Sequence, residues 1–115
     1  MKKISVLALV TVTIFIFSNC HTAKKAAASM PKYTYENNIK ALVMDNCTPC
    51  HIPSKGGNKK PFDNYDSARS SIDDMIRRIS LNPEDKGFMP FKHPKLSETT
   101  INVFKQWKEQ GTPER

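Results

Sequence analysis

The chain has 115 residues, 18 Lys and Arg against 11 Asp and Glu, a formal net charge of +7 and a hydrophobic content of 38%. That length suits one small domain. Three cysteines exclude a disulfide framework of the kind that staples many small exported domains.

The chain opens on the basic "MKK", followed by an unbroken apolar run from Ile4 to Phe17 and then "SNC". Those are the n-region, h-region and processing site of an export signal. The run is shorter than the roughly 17–25 residues of a spanning helix. Its Val, Thr, Ile and Phe content would also suit a buried strand, but position and flanks fit export better. The stretch "FSNC", Phe17 to Cys20, resembles a bacterial lipobox, with Phe17 and Asn19 where the common form has Leu and Gly or Ala. The resemblance implies a lipid on Cys20 and tethering to a membrane on the periplasmic side of a bacterium. Ordinary cleavage after "AAA", Ala26 to Ala28, is the rival. The expected organisation is a signal peptide over 1–19, the lipidated Cys20 with a basic, flexible tether over 20–32, and a folded domain over 33–115.

Three segments of that domain carry helical period, and none alternates convincingly as a strand. The first spans about 35–45, with Thr34 as N-cap and Tyr35, Ile39, Leu42 and Val43 on one face. The second spans about 67–80, capped by Asp66, with Ala68, Ile72, Met75, Ile76 and Ile79 as its apolar stripe. Arg77 and Arg78 suit the dipole of its last turn. The third spans about 98–110. Ser97 caps it, Leu96 and Ile101 form a staple, Ile101, Phe104 and Trp107 face inward with Val103 beside them, and Gly111 ends it. Two loops separate the helices: His51 to Tyr65, with paired glycines, and Leu81 to Lys95, broken by Pro83, Pro90 and Pro94. The expected class is all-α.

Between the first helix and the first loop stands "CTPCH", Cys47 to His51. Three chemistries use a Cys-x-x-Cys core. Covalent haem attachment uses all three residues: Cys47 and Cys50 add to the two vinyl groups and His51 supplies a nitrogen to the iron. Dithiol exchange expects the cysteines at a helix N-terminus after a strand. Zinc needs four ligands, which Cys47, Cys50, His51 and His93 would have to supply. A domain of this size also buries little apolar area of its own, and a large cofactor serving as core would make up the deficit.

The order "CTPCH", "NYDSA" at 64–68, "MIRRI" at 75–79, "FMPF" at 88–91, "LS" at 96–97, Trp107 and Gly111 resembles the small monohaem members of the class I cytochrome c family, over about 35–111. The resemblance implies an all-α fold of about three main helices around one covalently bound haem c, with first and last helices packed beside it. It also implies His and Met as axial iron ligands. Of the methionines left after export, Met30 lies in the tether, Met44 is too near Cys47, and Met75 sits on an apolar stripe. Met89, between two phenylalanines on the proline-held loop, is the expected distal ligand, a soft thioether that raises the potential. His93 is its competitor.

The expected activity is single-electron transfer rather than enzymatic catalysis, since nothing in the sequence supplies a nucleophile, a general base or a substrate pocket. An open or labile sixth site, giving ligand binding or peroxidase-like chemistry, is the alternative. Phe62, Tyr65, Phe88, Phe91 and Trp107 are candidate haem-pocket walls. Lys55, Lys59, Lys60, Lys92 and Lys95 are candidates for steering an acidic redox partner protein. Nucleic acid is a poor partner for an exported chain.

Overall fold

The computed structural model describes residues 32–115. The expected signal peptide, Cys20 and nearly all of the tether lie outside the described residues. Within them the architecture is all-helical, in the order of a π-helical turn at Tyr35–Ile39 continuing into α1 at Lys40–Cys47, a short 3-10 turn at Pro53–Lys55, α2 at Tyr65–Ser80 and α3 at Glu98–Glu109. No described helix is long and apolar enough to cross a membrane.

Local chemistry sets the helix starts. Thr34 is extended, and its hydroxyl accepts from the Asn37 N–H at 3.3 Å, while the Thr34 N–H donates to Asn38 Oδ1 at 3.0 Å. Two donors that a helix N-terminus leaves over are thereby used. The start of α2 differs from the expected one. Its cap is Asn64, whose side-chain oxygen accepts from the Ser67 N–H at 3.0 Å, and Asp66 lies inside the first turn. Asn and Asp cap about equally well. The carboxylate of Asp66 is placed where a negative charge suits the dipole. Ser97 caps α3 as expected, accepting from the Thr100 N–H at 3.1 Å. Gly111, at φ +83°, turns the chain out of α3 in the left-handed region that glycine tolerates.

Packing follows the predicted stripes. Tyr35, Ile39 and Val43, then Ala68, Ile72, Met75 and Ile79, then Ile101, Phe104 and Trp107 form one buried cluster, joined by Ile52 from the loop after "CTPCH". Leu42, Ile76, Leu96 and Val103 border it, partly buried. Helix α2 packs on α3, and α3 packs on the π-helical turn. An ion pair between Lys108 and Asp73 crosses from α3 to α2.

The segment after α3 folds back on the start of the domain. The Tyr35 and Glu36 N–H groups donate to the carbonyls of Pro113 and Glu114 at 3.0 and 3.1 Å. Trp107 Nε1 donates to Pro113 O at 2.9 Å, and the Tyr65 hydroxyl donates to Thr112 O at 2.9 Å. The first and last helices are thus joined both by side-chain packing and by main-chain hydrogen bonds.

Candidate functional site

Helix α1 ends at Cys47, and the "CTPCH" segment turns immediately: the His51 N–H donates to Cys47 O and the Ile52 N–H to Pro49 O, both at 3.0 Å. The following loop closes over this turn. The Lys59 N–H donates to Cys50 O and the Phe62 N–H to His51 O, each at 3.0 Å, and the Gly57 N–H reaches Ile52 O at 3.1 Å. Ile52, fully buried, pins the turn to the core. Gly57 allows the closure. A Cβ there would meet Cys50 O at 2.6 Å and collide with Pro49 O, so the backbone approaches more closely than any side chain permits.

The ring of His51 is held from two sides. It stacks on Phe62 with centroids 4.2 Å apart and planes 9° from parallel. Its Nδ1 lies 2.7 Å from Lys60 O. A carbonyl only accepts, so Nδ1 carries the hydrogen, the tautomer in which a lone pair falls on Nε2. A backbone carbonyl on the far nitrogen is one of the arrangements, with a carboxylate or a water, that orient metal-binding histidines.

The two thiols sit in different surroundings. Cys47 is half-buried against the core, and burial pushes its thiol up to about 11. Cys50 is exposed, and both cysteines are free. Exchange-active dithiols have lowered values and sit at helix N-termini. Cys47 closes a helix C-terminus and its value is raised, so the dithiol reading finds no support. The zinc quartet does not assemble either: among the described residues no three His, Cys, Asp or Glu side chains converge to hold an ion.

Met89 lies at the end of a loop tied to the last turn of α2. Asn82 and Asp85 close a tight turn, with the Asn82 N–H donating to Asp85 Oδ2 at 2.8 Å and the Asp85 N–H to Asn82 O at 2.9 Å. Phe88 is buried, and its N–H donates to Asp85 O at 3.1 Å. The Met89 N–H donates to Arg78 O at 3.3 Å, and Arg78 Nη1 donates to Gly87 O at the same distance. Met89 is partly buried against the same core cluster that Cys47 borders. The structure therefore brings the methionine loop and the end of α1 to one core.

His93 is exposed. Together with Pro83, Phe88, Phe91 and Lys92 it lines a cavity of about 450 Å³ that includes neither Met89 nor any residue of "CTPCH". Met75 is buried in the core, as its place on the α2 stripe predicts, and Met44 borders that core. Trp107 is fully buried among protein atoms, and Tyr65 borders the same cluster. Phe91 is 65% exposed, with Lys92 Nζ 5.4 Å above its ring. Lys55, Lys59, Lys60 and Lys92 are exposed. Lys95 is engaged within the domain, donating to Ser80 O at 3.2 Å and lying 3.9 Å from Glu98.

Some of these roles had no sequence signal. The carbonyl of Lys60 is a backbone group, and only the fold brings it to His51. The hold of Arg78 on the Met89 loop depends on how that loop returns across α2. The paired glycines marked a loop, without saying that Gly57 closes it onto the "CTPCH" turn.

The donor set fits the covalent haem expected from the sequence: thiols three residues apart, an imidazole with Nε2 left for a metal, and a thioether on the same core. No protein-family model, no curated protein and no solved structure matches this chain.

Proposed function

We propose that the domain binds one haem c covalently and carries single electrons, tethered to a membrane on the periplasmic side through Cys20. The single observation that carries the reading is His51: the residue after Cys-x-x-Cys has its Nδ1 hydrogen committed to the Lys60 carbonyl, which leaves Nε2 for iron. The likeness of the landmark order to class I cytochromes c supports the same conclusion.

In this reading the thiols of Cys47 and Cys50 would hold the haem covalently through thioether bonds. His51 Nε2 and the Met89 sulfur would be its iron ligands. A bound haem supplies the one-electron couple of its iron. The chain's own contribution is positional. Phe62 and Lys60 fix the imidazole plane, Ile52 anchors the attachment turn, and the Asn82–Phe88 loop holds Met89 at the core. Iron held by both of these side chains would keep no position for a substrate, which favours electron transfer over ligand chemistry. The exposed Lys55, Lys59, Lys60 and Lys92 suit a redox partner with an acidic face.

The test is an optical spectrum, oxidised and reduced, of the full chain made in a host that attaches c-type haem. Sharp reduced bands of a two-thioether haem and a weak far-red sulfur-to-iron band on oxidation are expected, and Met89→Ala abolishes the far-red band. Haem without that band points to His93 or an open sixth position, and so to ligand binding or peroxidase-like chemistry. No covalent haem at all overturns the reading.

A further inference from the structure

Arg78 meets the Met89 loop at two points. Its carbonyl accepts the Met89 N–H at 3.3 Å, and its Nη1 donates to Gly87 O at 3.3 Å, two residues earlier. The guanidinium is itself fixed, since Nε donates to Asp74 Oδ2 at 2.7 Å, one turn back on α2. Gly87 has φ +94°, and a Cβ there would meet Arg78 Nη1 at 3.3 Å, so the loop backbone lies directly against the arginine. The rest of the loop is closed by its own turn at Asn82 and Asp85 and by the buried Phe88. Arg78 is the described contact that references this closed loop to α2 on the side of the methionine.

We propose that Arg78 is a positioning residue for the Met89 sulfur, with Asp74 as the brace that aims it. The proposal rests on the haem reading above and adds to it a determinant of how firmly the sixth ligand is held. A thioether is a weak ligand, so the fraction of time it is bound depends on how little the loop can stray. Freeing Gly87 O and the guanidinium lets the loop sample positions that withdraw the sulfur, and an exogenous ligand then competes more easily.

The test uses the full chain with haem attached, as wild type, Arg78→Gln, Arg78→Lys and Asp74→Asn. The readouts are the far-red sulfur-to-iron band and the affinity for added imidazole. Arg78→Gln is expected to weaken the band and to tighten imidazole binding about tenfold, the factor that ~1.4 kcal/mol makes. Asp74→Asn, which leaves the arginine in place, is expected to move both readouts in the same direction by less, and Arg78→Lys to restore part of the loss. If the variants lose thermal stability while band and imidazole affinity stay at wild-type values, Arg78 is merely structural and the proposal is wrong. If wild type itself lacks the far-red band, the failure lies with Met89 as ligand, and the proposal falls with it. Should Arg78→Gln not fold, the Asp74→Asn readouts decide.

Discussion

The imidazole of His51 and the ring of Phe62 lie 4.2 Å apart and within 9° of parallel. The Phe62 N–H also donates to His51 O at 3.0 Å, so ring and backbone of the two residues are matched. Stacked aromatic pairs contribute about 0.5–1.5 kcal/mol beyond the area they bury. Phe62→Leu, which keeps apolar bulk but removes the stack, is expected to lower unfolding stability by about that amount. Denaturant titration of the haem-free chain measures it. A loss of attached haem out of proportion to the stability change would show that orientation of the imidazole matters in its own right.

Gly56 and Gly57 are adjacent but differ in what they require. Gly56 has φ +85° and open space around it, so Gly56→Ala is expected to cost only the ~1–2 kcal/mol of an L-residue in the left-handed region. Gly57→Ala drives a methyl into the carbonyls of Pro49 and Cys50, which are backbone atoms of the "CTPCH" turn and cannot swing aside. Its melting temperature should fall further than that of Gly56→Ala, and so should the ratio of covalently bound haem to protein. Equal losses for the two variants would show that the turn yields more readily than this packing implies.

Burial holds the Cys47 thiol up at about 11, above its ordinary 9.0. The Tyr35 hydroxyl is raised as well, first by burial and then by Glu36 and Asp63. A raised acid is protonated more fully in the folded than in the unfolded chain. Its contribution is therefore complete below the unfolded value and is lost as pH rises towards the folded one. The haem-free chain should lose stability between pH 9 and 11, and Cys47→Ala should flatten that decline. The same thiol should resist alkylation at pH 8, where a thiol of pKa 11 is ionised to only about one part in a thousand, while the exposed Cys50 labels first. Peptide mass mapping after timed iodoacetamide treatment reads this directly.

Asp74 carries the opposite sign. Hydrogen bonds from Arg78 and then Arg77 hold its carboxyl below the ordinary 3.8. That stabilisation is present above the unfolded value and disappears as pH falls through the folded one. The group is largely exposed, so Asp74→Asn should cost only ~0.2–1 kcal/mol at neutral pH. Thermal melts of the two proteins should converge in acid and also in high salt.

The helical content was legible because each helix carries a strong local signal. Thr34 and Ser97 cap as their side chains suggest, and the stripes on all three helices are the faces that become buried. The start of α2 was misread because Asn64 and Asp66 are both good caps two residues apart, and the choice depends on the backbone of the preceding loop. The "CTPCH" turn was legible as a motif, since it concentrates three reactive side chains in five residues. Its support was not: the Lys60 carbonyl, the burial of Ile52 and the hold of Arg78 on Gly87 depend on tertiary geometry that the local sequence does not report. Phe91, a candidate haem-pocket wall, is largely exposed beside Lys92 and lines the cavity at His93.

The pairing of Tyr35 and Glu36 with Pro113 and Glu114 bears on the order in which this domain can be made. Two of the four N–H groups that begin the first helix wait for carbonyls nearly eighty positions later (from Tyr35 to Pro113). Contacts of such sequence separation form late and slow the search for the native state. On a chain made from its amino end, the first helix and the "CTPCH" segment therefore emerge well before the segment that locks them. During that interval Cys47 lacks the finished core that later shields it, and its thiol is open to whatever chemistry meets the chain. The last few residues act as a latch, and they set the moment at which that interval ends.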